Sequence, residues 1–290
     1  MTKLFVYGTL RMQEENCSYL KNAKCLHDQT WIYGKLYDTN KGYPVMKENN
    51  VEKVYGELYE VSDEQLAAID RLEGYREGGS DNLYERKLVA VFDDFGPVAE
   101  ALTYITGRSL ADSTDVIPFG DWKVYRYMRK GEIYYFAYGS CMDDRRFKLA
   151  KVDQYFSNII GSGRLDGYGF RFSRSTKDGG KADLIVSPDE FVEGVIYRLP
   201  MEGVDYLYER EGVYVEAYRP LIETVSTVDG TDIDVLTFIG IAKSDETKPT
   251  EVYADEILTG AEKLLSGSYI EGLRKRIGHL MGGMDREKQT

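Results

Sequence analysis

The chain carries the same ordered set of short motifs twice, once in each half. An apolar, aromatic segment ends in Tyr-Gly-Thr at residues 7–9 and in Tyr-Gly-Ser at residues 138–140. Later in each half a Glu-Gly pair, at Glu73 and at Glu211, follows a strand-like glycine by 17 residues. The period of about 130 residues is far longer than the units of about 20 to 50 residues that build solenoids. We therefore predict a duplication, with one domain at 1–129 and a similar domain at 130–290.

Each half combines strand and helix signals. Short runs rich in aromatic and β-branched residues precede the Tyr-Gly motifs and recur at 54–59 and 192–197, as is typical of strands. A helix is predicted before Glu73, because its segment opens with the capping-box pattern Ser62-Asp63-Glu64-Gln65 and ends at Gly74, a residue suited to a helix C-terminus. The second half predicts a corresponding helix.

Both glutamates lie on the apolar face of their predicted helices. Apolar residues stand seven and four positions before each glutamate, a spacing that places them on one helix face. These residues are Leu66 and Ile69 in the first half and Val204 and Leu207 in the second. Burial raises the pKa of a carboxyl group toward the range that suits a general base near neutral pH. The alternative is a glutamate that reaches solvent or pairs with a nearby arginine such as Arg210.

The turn after each Tyr-Gly motif is a candidate anion-binding site. A glycine turn that follows a strand can direct consecutive backbone N–H groups at a carboxylate or an oxyanion. The motif also fits an ordinary β-turn, so this interpretation depends on its pairing with an inward glutamate. The residues are Tyr7, Gly8, Thr9 and Leu10 in the first half, and Tyr138, Gly139, Ser140 and Cys141 in the second.

Composition excludes several other kinds of site and partner. A formal charge of -12 argues against a nucleic-acid partner, since phosphate backbones would be repelled. Only His27 and His279 supply imidazole, and the three cysteines lack Cys-x-x-Cys spacing, so neither a metal site nor a Ser-His-Asp triad is expected. The chain shows no signal-peptide core and no long apolar run, which predicts a cytoplasmic protein without a membrane partner. Cys141 remains an alternative nucleophile.

The ordered motifs resemble the gamma-glutamylcyclotransferase family over nearly the whole of the first half and much of the second. The first half is similar to the gamma-glutamylamine cyclotransferase branch, and the C-terminal half resembles the gamma-glutamylcyclotransferase branch proper. The motifs that carry the resemblance lie at 5–11, 56–59, 70–73 and 117–122, and at 135–140, 179–183 and 209–213.

The resemblance implies a fold, a site and an absence of cofactors. The implied fold class is α+β, with two tandem mixed β-barrel domains and short flanking helices. The family's catalytic glutamate corresponds to Glu73 and Glu211, the same residues that the helix pattern selects. Tyr84 and Tyr218 match a family tyrosine that lines the cleft, although each also fits a packed strand tyrosine. Neither a metal nor another cofactor is implied, and the expected partner is a small gamma-glutamyl substrate.

The expected reaction is the conversion of a gamma-glutamyl amine or amino acid to 5-oxoproline, a metal-independent acyl transfer of lyase type. The substrate's own α-amine is the nucleophile, so the protein has to hold the substrate folded and move a proton. Two departures from the family pattern concern the second half: Cys141 replaces the usual Asn, and Tyr208 replaces an acidic residue. The alternative is a protein that binds or senses a small carboxylate, with one or both sites inactive.

Overall fold

The structure, a computed structural model, describes residues 1–110, 112 and 115–282, and within it the chain divides into two compact units. Unit 1 is Met1–Arg126, and unit 2 begins at Tyr127. Residues 282–290 have the sequence character of a frayed tail, and all of them except Gly282 lie outside the described residues.

Unit 1 contains a closed five-stranded barrel and a small sheet. The barrel order is β1-β5-β2-β6-β7, with β1 antiparallel to β5 and parallel to β7, and the small sheet has the order β4-β3-β8. The strands are β1 (Thr2–Val6), β2 (Lys24–Tyr33), β3 (Lys35–Asp38), β4 (Pro44–Lys47), β5 (Lys53–Val61), β6 (Tyr84–Asp93), β7 (Gly96–Thr106) and β8 (Asp115–Val116). The helices are α1 (Asp63–Leu72) and α2 (Trp122–Met128), and the division between the units falls within α2.

Unit 2 repeats the closed barrel and adds helices. Its barrel order is β10-β11-β9-β13-β12, and β9 is antiparallel to β11 and parallel to β13. The strands are β9 (Ile133–Ala137), β10 (Ile159–Thr176), β11 (Gly179–Leu199), β12 (Tyr218–Thr227) and β13 (Asp232–Gly240). The helices are α3 (Arg145–Ala150), α4 (Met201–Arg210), α5 (Glu251–Ala261) and α6 (Gly267–Gly282). The predicted α+β fold of two mixed barrels is confirmed.

Strand β1 is buried on both faces, which explains why it has an apolar run rather than an alternating pattern. Leu4 and Val6 pack in one hydrophobic cluster with Ile69 of α1, whereas Phe5 packs in another with Leu58 of β5. Successive side chains of a strand point to opposite faces, so both clusters hold the same strand in place. The end of β1, where the Tyr-Gly turn begins, is therefore fixed by packing on either side.

Helix α1 has the ends that the sequence predicts. The Ser62 hydroxyl accepts a hydrogen bond from the Gln65 N–H at 3.2 Å, and the Gln65 side chain accepts one from the Ser62 N–H at 3.0 Å. Gly74 follows the helix with a φ of +61°, a left-handed conformation that glycine adopts without strain. Ile69 is fully buried, so the helix face that carries Glu73 points toward the barrel.

Glycines at Gly56 and Gly194 let two strands pass very close to each other in each barrel. A methyl group at Gly56 would lie 2.3 Å from the carbonyl oxygen of Val6, and one at Gly194 would lie 2.4 Å from that of Ala137. Val6 and Ala137 immediately precede the two Tyr-Gly turns. The close backbone approach therefore fixes where each turn begins.

The first prediction concerns this approach. Gly194→Ala should destabilise unit 2 by about 1 to 3 kcal/mol, because the added methyl group forces the backbone of β9 away from β11. Urea unfolding measures the effect. The control is Gly272→Ala in α6, where a methyl group meets no atom within 4 Å and should stabilise the helix by about 0.5 to 1 kcal/mol. Equal effects of the two substitutions would contradict the role of the close approach.

Candidate active site

A cavity of about 190 Å³ opens where β1 of unit 1 ends. Its wall contains every residue that the sequence predicted for the first site: Tyr7, Gly8, Thr9, Leu10, Glu73 and Tyr84. The glutamate comes from the end of α1, and Tyr84 begins β6. The barrel thus gathers three distant chain segments around one space, which we call the first cavity.

The turn in the first cavity is held by buried ionic contacts just behind it. The Arg11 guanidinium donates to Glu57 at 3.2 Å and to Asp121 at 2.9 Å, and the three residues are 1–3% exposed. The second carboxylate oxygen of Glu57 accepts from the Met12 N–H at 2.8 Å. Buried charges are tolerated only when paired in this way, so the chain leaving the turn has little freedom to shift.

Asn16 closes the turn from the other side. Its N–H donates to the Thr9 carbonyl at 2.8 Å, and its side-chain amide donates to the Thr9 hydroxyl at 3.0 Å. Asn16 also lines the first cavity. It is a site residue that the sequence reasoning missed, because it belongs to no motif of the repeat.

Glu73 is the titratable carboxyl group in the wall of the first cavity. It lies partly buried next to Leu72 and Leu83, which also line the space. Burial raises the pKa of Glu73 to about 7. A group with this pKa exchanges protons readily near neutral pH and can both accept a proton and return it.

The cavity tyrosines are held by their hydroxyl groups. Tyr7 donates to the Tyr104 carbonyl at 2.8 Å, and Tyr84 donates to the Pro44 carbonyl at 2.7 Å. Burial raises the pKa of both phenols, so they remain protonated near neutral pH. The rings of Tyr7 and Tyr84 form part of the cavity wall, while their hydroxyls hold neighbouring chain segments in place. Tyr84 therefore both packs as a strand residue and lines the cavity.

Unit 2 repeats this arrangement around a second cavity of about 40 Å³. The predicted residues Tyr138, Gly139, Ser140, Cys141, Glu211 and Tyr218 all line it. The tyrosine contacts recur as well: Tyr138 donates to the Phe238 carbonyl and Tyr218 to the Ala182 carbonyl, each at 2.7 Å. The second cavity is smaller than the first, and α5 contributes Tyr253 to its wall.

The surroundings of Glu211 are more polar than those of Glu73. The Cys141 thiol lies 3.6 Å from the Glu211 carboxylate, and the Arg210 Nε lies 3.1 Å from the Cys141 sulfur. Burial raises the pKa of Glu211, and the charge of Arg210 opposes this rise. Burial also raises the pKa of the Cys141 thiol, whose described side-chain contacts are with Arg210, Glu211 and Tyr135.

Two further properties bear on the kind of site. Among the described residues, no three His, Cys, Asp or Glu side chains are grouped so that they could hold a metal ion. Across the same part of the chain, no helix is long and apolar enough to span a membrane.

Comparison with known proteins shows the family of this chain. The family model "Gamma-glutamyl cyclotransferase, AIG2-like" matches residues 4–124, and the model "AIG2-like family" matches residues 191–273. A protein of Bacillus subtilis (strain 168), "Putative gamma-glutamylcyclotransferase YkqA", is 37% identical over 283 residues, which are 97% of this chain and 99% of that protein. The chain belongs to the gamma-glutamylcyclotransferase family.

Other comparisons support the membership in this family. The crystal structure of YkqA has a TM-score of 0.84 and 36% identity, covering 96% of this chain and 98% of that one. The "Gamma-L-glutamyl-butirosin B gamma-glutamyl cyclotransferase" of Niallia circulans is 42% identical over 128 residues, which cover 43% of this chain and 78% of that protein. The gamma-glutamylcyclotransferase fold is therefore present along the described length of the chain.

Several residues that line the two cavities were not among the site residues predicted from the sequence. Tyr104 and Phe238 line the two cavities from strands that pair in parallel with β1 and β9, about 100 residues away in the chain. A repeat search could have found them, because each follows a threonine, Thr103 or Thr237, whose hydroxyl donates to the carbonyl of Phe5 or Phe136. The other lining residues not predicted as site residues are Phe5, Val6, Asn16, Tyr43, Pro44, Leu72 and Leu83 in the first cavity and Tyr135, Ala182 and Tyr253 in the second.

The second prediction follows from the raised pKa of Glu73. Because this pKa is raised on folding from 4.5 to about 7, ionisation of Glu73 destabilises unit 1 as the pH rises through this window. Glu73→Gln removes the ionisation. The free energy of unfolding of Glu73→Gln, relative to that of wild type, should therefore rise by an amount on the order of 2–3 kcal/mol between about pH 4.5 and about pH 8.

Urea unfolding at the two pH values measures this difference. The matched control is Glu77→Gln, which changes an exposed glutamate of the same unit. If both substitutions show the same dependence on pH, burial of Glu73 is not the cause and the prediction is wrong.

The third prediction concerns Arg11. Arg11→Met leaves Glu57 and Asp121 as buried carboxylates without their cation, which should cost about 3 to 5 kcal/mol of stability. Lys35→Met, which removes an exposed pair with Glu52, should stay close to wild type. Thermal unfolding compares the two variants, and a small effect at Arg11 would show that the turn is anchored by other contacts.

Proposed function

We propose that this chain is a metal-independent gamma-glutamylcyclotransferase with one site in each domain, 1–129 and 130–290, and that Glu73 is the catalytic acid and base of the first. The observation that carries the proposal is that a glutamate of raised pKa and the Tyr-Gly-Thr turn line the same cavity. Glu211 has the same role in the second site, where the turn is Tyr-Gly-Ser.

In the proposed reaction, the substrate's α-amine attacks its own γ-carbonyl carbon. A new C–N bond closes the five-membered lactam, and the bond from the γ-carbon to the leaving nitrogen breaks. The Glu73 carboxylate takes one proton from the attacking neutral amine and returns it to the leaving nitrogen, so the products are 5-oxoproline and a free amine. When the substrate starts as the α-ammonium, its additional proton is passed to the leaving nitrogen in the same way, and the amine leaves as an ammonium. No water, metal or other cofactor takes part. Holding the two reacting groups together contributes up to about 7 to 11 kcal/mol in well-oriented intramolecular reactions.

The turn residues bind the charged part of the substrate in this proposal. Backbone N–H groups around Gly8, Thr9 and Leu10 hold the α-carboxylate or the oxyanion that forms at the γ-carbon. The rings of Tyr7 and Tyr84 enclose it, since their hydroxyls are engaged with main-chain carbonyls and stay protonated. In this proposal the turn and the tyrosines bind the substrate, and Glu73 transfers the proton.

The first site is proposed to act on gamma-glutamyl amines. Leu10, Leu72 and Leu83 give its cavity an apolar side suited to the carbon chain of a leaving amine. The Niallia circulans relative, whose match of 128 residues is similar in length to the first half, is named for its action on gamma-L-glutamyl-butirosin B. The smaller second cavity favours gamma-glutamyl compounds with a smaller leaving group.

The fourth prediction tests the two glutamates. Glu73→Gln should bind a gamma-glutamyl amine but lose turnover at the first site by about 10²- to 10⁴-fold, because the proton carrier is gone. Production of 5-oxoproline from gamma-glutamyl amines, gamma-glutamyl amino acids and glutathione is measured by mass spectrometry for wild type, Glu73→Gln, Glu211→Gln and the double variant. Glu77→Gln is the control with an exposed glutamate.

The outcome for each compound identifies the site that acts on it. A substrate whose turnover is lost only in Glu73→Gln belongs to the first site, and one lost only in Glu211→Gln belongs to the second. Turnover that persists in the double variant would show that neither glutamate is catalytic.

The restricted second cavity supports one other function, binding of a small carboxylate without turnover. A gamma-glutamyl compound or 5-oxoproline would then raise the melting temperature of unit 2 while no product forms. Product formation that depends on Glu211 would exclude this alternative.

A further inference from the structure

The two sites differ in the residue that precedes each glutamate and in the last residue of each turn motif. Leu72 precedes Glu73, whereas Arg210 precedes Glu211, and Leu10 follows the first turn at the position where Cys141 follows the second. Both leucines line the first cavity, and the pKa of Glu73 is raised there by burial alone. In the second site a cation and a thiol replace this apolar pair.

Arg210 contacts both sides of the second site. Its Nη2 donates to the Ser140 hydroxyl at 3.2 Å and its Nε to the Cys141 sulfur at 3.1 Å, so it reaches from α4 to the turn. The same Nε lies 4.0 Å from the Glu211 carboxylate. The side chains of Arg210 and Glu211 are 18% and 20% exposed, so solvent screens this pair only partly.

Other groups around Glu211 do not replace this charge. Arg174 acts on Glu211 in the same direction, but its guanidinium is engaged with the Ala217 carbonyl at 3.2 Å and with the ring of Tyr218. Among the described residues, the other titratable groups that face Glu211 are the Cys141 thiol and the phenols of Tyr135, Tyr138, Tyr218 and Tyr253. Burial raises the pKa of each of these groups, so they are uncharged near neutral pH. Arg210 is the cation whose guanidinium contacts Ser140 and Cys141 and lies beside Glu211.

We propose that Arg210 is a positioning residue that makes the second site work in a different pH range from the first. It ties the Ser140–Cys141 turn to Glu211, and it keeps the Glu211 carboxylate ionised at a pH at which Glu73 is protonated. This inference rests on the proposed function, because the pH range matters only if both glutamates act as bases. Leu72, the counterpart of Arg210, cannot stabilise a charge, so the first site requires a higher pH.

The fifth prediction measures the pH dependence of kcat/KM for each site alone. The Glu211→Gln protein reports the first site and the Glu73→Gln protein the second, and the acid limb of the second should lie at lower pH. Adding Arg210→Gln to the Glu73→Gln protein should shift this limb to higher pH, so kcat/KM falls several-fold on the acid side and much less on the alkaline side. Arg210→Lys keeps the charge and should restore most of the shift.

Arg198→Gln is the control, because it removes an exposed arginine of the same unit. It should leave the limb in place. A lower rate in Arg210→Gln with an unmoved acid limb would show that Arg210 only supports the structure, which would overturn the proposal.

A second readout does not require turnover. In protein labelled with ¹³C at the glutamate carboxyl carbons, the signal that disappears in Glu211→Gln belongs to Glu211, and its titration gives the pKa directly. Arg210→Gln should move this titration to higher pH, while Arg198→Gln should not. A moved titration in a protein without turnover supports the role of Arg210 and refutes the proposed function. An unmoved titration in a folded Arg210→Gln protein overturns the inference whatever the turnover.

Discussion

The close passage of two strands at a glycine is the constraint on which each barrel depends. β1 is antiparallel to β5 and parallel to β7, and the absence of a side chain at Gly56 lets β5 approach the Val6 carbonyl. The next residue, Tyr7, begins the turn of the first cavity. The same relation holds at Gly194 and Ala137 in unit 2. The same close approach of two strands therefore closes each barrel and places the turn of its cavity.

Burial of the Glu73 carboxyl group costs stability. A carboxyl group at the end of a helix would ordinarily stay in solvent, but α1 delivers Glu73 into a cavity lined by leucine and tyrosine side chains. Desolvation raises its pKa to about 7, a value suited to proton transfer, and the protein loses stability as the pH rises from 4.5 to about 7. The packed faces of β1 supply stability that offsets this desolvation cost.

Duplication kept the framework and allowed the two sites to diverge. The tyrosine hydroxyl contacts to main-chain carbonyls recur in both units, because they hold together the chain segments that surround each cavity. The residues that precede the glutamates, Leu72 and Arg210, do not make these tyrosine contacts. Leu72 and Arg210 therefore differ without affecting barrel closure, and this difference gives the two carboxylates unlike electrostatic surroundings.

The sequence by itself determined the duplication, the ends of α1, the inward face of both helices and the strand-turn motifs. These features depend on contacts within a few residues, such as the Ser62–Gln65 capping box, or on the periodicity of apolar residues. Only the tertiary structure decided which strands close each barrel, since the parallel pairing of Leu4 with Leu102 joins residues about 100 positions apart. It also decided the sizes of the two cavities and the contact of Arg210 with Cys141, because these depend on how distant segments pack and no local pattern records that distance.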